Sequence, residues 1–190
     1  MKKALLIASV LVVAVISTAC INNIAVQELN NKAAEYMQKG DYESAMNRLQ
    51  ASLDLDSSMY QTYYNLGVAA INANKFDKAI DALESGIKIK PDYADFYYSL
   101  GVAQIGLADE ILEKANVEDK AAESPEAKMS DVMRDISDEE RMNVKTLKKS
   151  AMDSLNKYLD MEPNTTDRES VIEMIKQCEE YIVEEDKKEV

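Results

Sequence analysis

Few side chains in this sequence are suited to chemistry. Histidine, the commonest general base and metal ligand, does not occur. Two cysteines do, Cys20 and Cys178. A catalytic thiol needs a basic, partly exposed neighbourhood that favours the thiolate. Cys178 is flanked by Glu179 and Glu180 and shares an apolar stripe with Val171, Ile175 and Ile182. Both features oppose ionisation, so a buried structural role is expected. Paired carboxylates stand at Asp54 and Asp56 and at Glu139 and Glu140, but neither pair sits in a calcium-loop or glycosidase context. Phosphate loops, zinc spacings and nucleophile motifs are not found either. The expectation is a protein that is not an enzyme and that needs no metal or cofactor.

Cys20 stands in another setting. Lys2 and Lys3 precede a continuous apolar stretch, Ala4 to Ile16, broken only by Ser9. Ser17, Thr18 and Ala19 form a small-residue region directly before the cysteine. The apolar run is shorter than the ~20 residues of a spanning helix, and the order of charge, apolar run and small residues fits a secretory leader. The end on Ala19-Cys20 resembles the lipobox of bacterial lipoproteins, although Ser17 stands where Leu is usual. That resemblance implies cleavage before Cys20, acylation of its sulfur, and anchoring to a bacterial membrane. With Ile21 rather than Asp after the cysteine, it implies the outer membrane where the cell has two, and otherwise the outer face of the cell membrane. Residues 1–19 are then a leader and 20–25 the lipidated cysteine with a short tether.

The chain carries 22 basic and 35 acidic residues, a formal net charge of −13. A surface this acidic repels phosphate backbones, which excludes nucleic acid as a natural partner. It also offers no attraction to anionic lipid, so membrane attachment depends on the acyl chains. Only 5 Gly and 3 Pro occur among many Ala, Leu, Lys, Glu and Met, which favours an all-α fold.

The elements that position these residues repeat at a fixed interval. At an offset of 34, Tyr42 falls on Phe76, Ala45 on Ala79, Leu49 on Leu83, Tyr63 on Tyr97, Leu66 on Leu100 and Gly67 on Gly101. Tyr63, Leu66, Gly67 and Ala70 follow helical spacing, and so do Phe76, Ala79, Ile80, Leu83 and Ile87 on the next helix. Gly40-Asp41 and Asn74-Lys75 occupy the turns between paired helices, and Pro91 closes the second pair. Tyr63 and Tyr97 fall on the inward stripe. The small residues Ala45, Gly67, Ala79 and Gly101 allow neighbouring helix axes to approach closely.

The run Tyr63-Tyr64-Asn65-Leu66-Gly67, followed by Ala79 and Pro91, resembles the tetratricopeptide repeat (TPR), and Tyr97-Tyr98-Ser99-Leu100-Gly101 repeats its opening. The resemblance implies a short α-solenoid of antiparallel helix pairs. A degenerate first unit spans 26–59 and a second 60–93. The third, 94–163, is split: Ala151, Leu155 and Pro163 reproduce the spacing of Ala79, Leu83 and Pro91, but about 38 residues later than the period requires. The insertion, approximately 107–141, makes an extended hairpin with Asn116 to Lys128 as a loop and Met129, Val132, Met133 and Ile136 as a short apolar stripe. Ser137 to Glu140 reads as a capping box opening a helix that runs to about Met161, and Thr166 to Glu169 as a second. A capping helix over 166–183 and a charged, fraying tail over 184–190 complete the chain.

The same resemblance implies a concave groove formed in the second unit by Gln61, Tyr64, Asn65, Val68, Ile71 and Asn72, and in the third by Asp95, Tyr98, Ser99, Val102 and Ile105. None of these is basic, so a carboxylate-clamp chaperone peptide is not expected. The function expected is a membrane-anchored scaffold that binds a partner protein or peptide within an envelope assembly, secretion or pilus complex. The competing expectation is a lipoprotein that holds a small apolar ligand under the inserted segment, with Met129, Met133 and Met142 as its lining.

Overall fold

A computed structural model describes residues 23–122 and 137–188. The leader, Cys20, Ile21, the stripe from Met129 to Ile136 and residues 123–128 of the expected loop lie outside these ranges. The described regular structure is helical throughout: α1 (23–38), α2 (Tyr42–Leu55), α3 (Tyr60–Asn72), α4 (Phe76–Ile89), α5 (Ala94–Ala122), α6 (Asp138–Met161) and α7 (Arg168–Lys188). From α2 onward each helix packs on the next, and α3 also touches α5.

The paired helices are joined by matching turns. Gly40 has φ +75° and Asn74, at the equivalent place, has φ +54°. Both are left-handed positions, where Gly has no penalty and Asn a small one. They let Asp41 N donate to Tyr36 O at 2.9 Å and Lys75 N to Ala70 O at 2.8 Å, closing two helices in the same way. Asp41 then caps α2 by accepting from Ser44 N at 3.1 Å.

One core runs from α1 to α5 around Ala45, Leu49, Ala79 and Leu83, all without exposure. A second joins α5, α6 and α7 through Leu155, Tyr158, Leu159 and Val171. The expected close approaches occur. A Cβ on Gly67 would lie 2.5 Å from Leu83 Cγ, and one on Gly101 would lie 2.7 Å from Leu155 Cγ. Two further approaches carry equal weight. A Cβ on Gly86 would lie 2.2 Å from the Phe96 ring, and one on Gly106 would lie 2.3 Å from Phe76. Phe96 is the largest fully buried side chain among the described residues. The inward tyrosines are less buried than their stripe suggests: Tyr63 and Tyr97 are only partly buried, and Tyr97 Oη donates to Pro91 O at 2.9 Å.

At the first junction the core is polar. Asn30 Nδ2 donates to Ser52 Oγ at 2.7 Å, and Thr62 Oγ1 donates to Asn30 Oδ1 at 3.2 Å. Ser52 and Thr62 are fully buried, so this link satisfies groups that water cannot reach.

Several boundaries differ from the sequence reading. Residues 23–25 are helical rather than tether, with Gln27 Nε2 donating to Asn23 Oδ1 at 2.9 Å. Residues 116–122, expected as loop, continue α5 to Ala122; the segment is rich in Ala, Glu and Lys and meets no Gly or Pro before Pro125. The capping box at Ser137 and Glu140 is formed, and α6 ends at Met161. The second box is not the cap of α7. That helix opens at Arg168, where Asp167 O accepts the first helical bond from Val171 N at 3.0 Å. The Asp167 carboxylate also accepts from Thr165 Oγ1 and from Tyr158 Oη. Nor is 184–188 a fraying tail. α7 continues to Lys188 because Glu185, 4% exposed, pairs with Arg141 of α6, and Asp186 pairs with Lys145 at 2.7 Å.

Candidate partner-binding face

α3 and α5 carry the residues expected to face a partner, and packing sorts them into two groups. Ser99 is buried, 5% exposed, and belongs to the interior rather than to a free surface. Tyr64 is half-buried, its ring meeting Tyr93 edge-on at 5.4 Å and Phe96 at 5.7 Å. Burial pushes its phenol pKa up, the Asp95 charge adds to this, and a hydrogen bond with Ser99 opposes it. Burial also pushes up the Tyr93 phenol, helped by its bond to Asp95. Tyr98 leans on Tyr158 of α6 at 5.3 Å. Ile71 packs against the first core and Ile105 against the second. These four side chains therefore fasten successive helices, leaving only their outer edges for a partner.

The second group stays accessible. Gln61 and Asn72 are exposed, and Asn65, Val68, Asp95 and Val102 are partly so. Asn72 Nδ2 donates to Val68 O at 2.8 Å, which holds the amide over its own helix. The offset of 34 extends this row onto α1. Gln27, Asn31, Ala34 and Gln38 correspond to Gln61, Asn65, Val68 and Asn72, and all four are exposed. The sequence reading omitted them because the first unit lacks the Leu-Gly pair. An amide presents both a donor and an acceptor, the complement of an extended peptide backbone. The row on α1, α3 and α5 is thus rich in amides, and its one charged member is Asp95.

Residues 36–105 match the family model described as tetratricopeptide repeat. The solved structures it resembles have the same architecture. The first TPR of Spaghetti (RPAP3), bound to the HSP90 peptide SRMEEVD, superposes with a TM-score of 0.58 at 14% identity, covering 83% of this chain and 93% of that one. The fold is a tetratricopeptide-repeat fold. The Arabidopsis OM64 TPR domain gives a TM-score of 0.57 at 14% identity, covering 83% of this chain and 96% of that one. The Yersinia enterocolitica type III secretion chaperone SycD, in complex with a peptide of the translocator YopD, gives 0.54 at 16% identity, covering 80% and 91%. No curated protein matches the chain in sequence.

Cys178 is 1% exposed, and burial pushes its thiol pKa up, which suppresses the thiolate. Among the described residues no cluster of His, Cys, Asp and Glu has the arrangement to hold a metal, and no helix is long and apolar enough to cross a membrane. Met142, expected to line a small-molecule pocket, is 71% exposed on α6; Met129 and Met133 lie outside the described residues. The cavity of about 560 Å³ found among the described residues lies between α2 and α4 instead.

Proposed function

We propose that this chain is a lipid-anchored, non-enzymatic scaffold of a bacterial envelope, holding an extended segment of a partner protein against α1, α3 and α5. The observation that carries the binding reading is the amide row, Gln27, Asn31, Gln38, Gln61 and Asn72 exposed and Asn65 partly so, displayed on a TPR solenoid. TPR domains generally mediate protein interaction, and the RPAP3 and SycD structures contain bound peptides. The anchoring reading is supported by the sequence alone: Lys2, Lys3, the apolar run to Ile16, and Ala19-Cys20. On this reading the third repeat unit is split, α5 pairing with the last part of α6, which carries Ala151 and Leu155, with approximately 107–141 inserted. A place in an assembly, secretion or pilus complex, at the outer membrane where there are two, completes the proposal.

Charge decides what the groove prefers. An acidic C-terminal peptide needs cations, and the eleven groove positions on α3 and α5 offer none, while Asp95 repels it. A neutral or basic segment with aromatic or apolar side chains is favoured.

The test uses full-length protein purified from membranes. The triple variant Gln61→Ala, Asn65→Ala, Asn72→Ala is expected to keep its melting temperature within a few degrees and to lose at least tenfold in affinity for the partner recovered with wild type. SRMEEVD peptide is expected to show no saturable binding. Unchanged partner affinity in the folded triple variant would overturn the groove assignment. Mass spectrometry of Cys20 tests the anchor separately, an unmodified cysteine in the mature protein contradicting it.

A further inference from the structure

We propose a second docking surface, on the opposite side of the first two helix pairs, that takes a basic, extended segment of a partner protein. It is the trough between α2 and α4. On α2 its bank is a single helical stripe: Glu43, Met46, Asn47, Gln50, Leu53 and Asp54. The facing bank on α4 has the same spacing in Lys78, Asp81, Ala82 and Ser85. Tyr63 and Leu66 of α3 form the bottom, on a different face of that helix from Gln61 and Asn65.

Two properties fix the occupant. The first is shape. From Glu43 to Asp54 the stripe is about 16 Å long at 1.5 Å per residue, the length of roughly five extended residues. Its floor is apolar, with Met46, Leu53, Leu66 and Ala82 each less than a tenth exposed and Tyr63 partly buried above them. Alternate side chains of an extended segment would reach this floor.

The second is charge. Asp54 stands on one bank and Asp81 on the other, both exposed; Lys78 on the α4 bank is the one cation of the lining and offsets part of their charge. Asp54 accepts from Gln50 Nε2 at 3.2 Å, and neither carboxylate has an ion-pair partner among the described residues. Glu43 is already compensated by Lys75 at 3.6 Å. Carboxylates on both banks of an apolar trough complement lysine or arginine placed on either side of apolar anchors. The amide row of α1, α3 and α5 is neutral apart from Asp95, so the two faces would select different chemistry.

The probe is an acetylated, amidated Lys-Leu-Lys-Phe-Lys pentapeptide added to the isotopically labelled full chain, read by amide NMR shifts. Saturable shifts are expected at Asn47, Gln50, Lys78 and Ser85, with Gln61, Asn65 and Asn72 unmoved. Asp54→Asn with Asp81→Asn is expected to weaken binding at least fivefold. The charge-matched control Glu35→Gln with Glu84→Gln, both exposed and away from the trough, is expected to weaken it less than twofold. Glu-Leu-Glu-Phe-Glu is expected not to bind. Shifts centred on Gln61 and Asn72 would overturn the second surface while leaving the amide groove intact. No saturable binding at millimolar peptide, or equal weakening in the control pair, would also overturn it.

Discussion

Phe96→Ala is expected to lower the unfolding free energy by ~3–5 kcal/mol, the range for emptying a fully buried aromatic site. The ring has no exposed surface. It packs against Tyr93 at 5.4 Å, Tyr64 at 5.7 Å and Tyr60 at 6.4 Å, and its far edge lies over Gly86. These contacts join α3, α4 and α5, so the cavity would open where the second helix pair meets the third. Gly86→Ala attacks the same contact from the other side. Its methyl would enter the ring, and overpacking of this kind costs ~1–3 kcal/mol. Because the two residues compete for one volume, Gly86→Ala with Phe96→Ala should cost less than the sum of the single changes. Urea unfolding of the four proteins gives the cycle. A loss below ~1 kcal/mol for Phe96→Ala would mean that the junction does not depend on this ring.

The second large effect is expected at the far end of the chain. Arg141→Met should cost ~3–5 kcal/mol, because it removes a guanidinium from a carboxylate that stays buried. Glu185 is 4% exposed and its partner is largely covered, so solvent screens the pair little. The double replacement Arg141→Met with Glu185→Leu should recover most of that loss, since two apolar side chains can occupy the site without desolvating a charge. Hydrogen exchange separates this from global unfolding: the last two turns of α7 should lose protection first in Arg141→Met. Unchanged protection there would show that the pair does not hold the helix.

These two sites also mark where sequence reading stops. Gly67 and Gly101 were legible because an offset of 34 superposes like on like. The same offset places Ser52 on Gly86 and Thr62 on Phe96. There the chemistry changes while the contact persists: two small polar residues bridged by Asn30 in one junction become a glycine under an aromatic ring in the next. A search for kept residue types passes over such an exchange. The docking of 184–188 was illegible for another reason. A charged run on one helix looks solvated until the helix bearing its partners is placed beside it, and Arg141 is far away in the chain. On the candidate face, helical spacing alone did not reveal burial. Tyr64, Tyr98, Ile71, Ser99 and Ile105 share the helical positions of groove residues and yet spend most of their surface on neighbouring helices. The accessible chemistry lies with the amides, including Gln27, Asn31 and Gln38 of the degenerate first unit.

The most direct measurement places a photo-crosslinking benzoylphenylalanine singly at Asn31, Asn65 and, as a control on an exposed part of α7, Glu169, in cells that make the full chain. Irradiation is expected to join the same partner to Asn31 and Asn65 and nothing specific to Glu169. Adducts that form equally from Glu169, or fail to form from both amide positions, would contradict a partner-binding role for the face built by α1, α3 and α5.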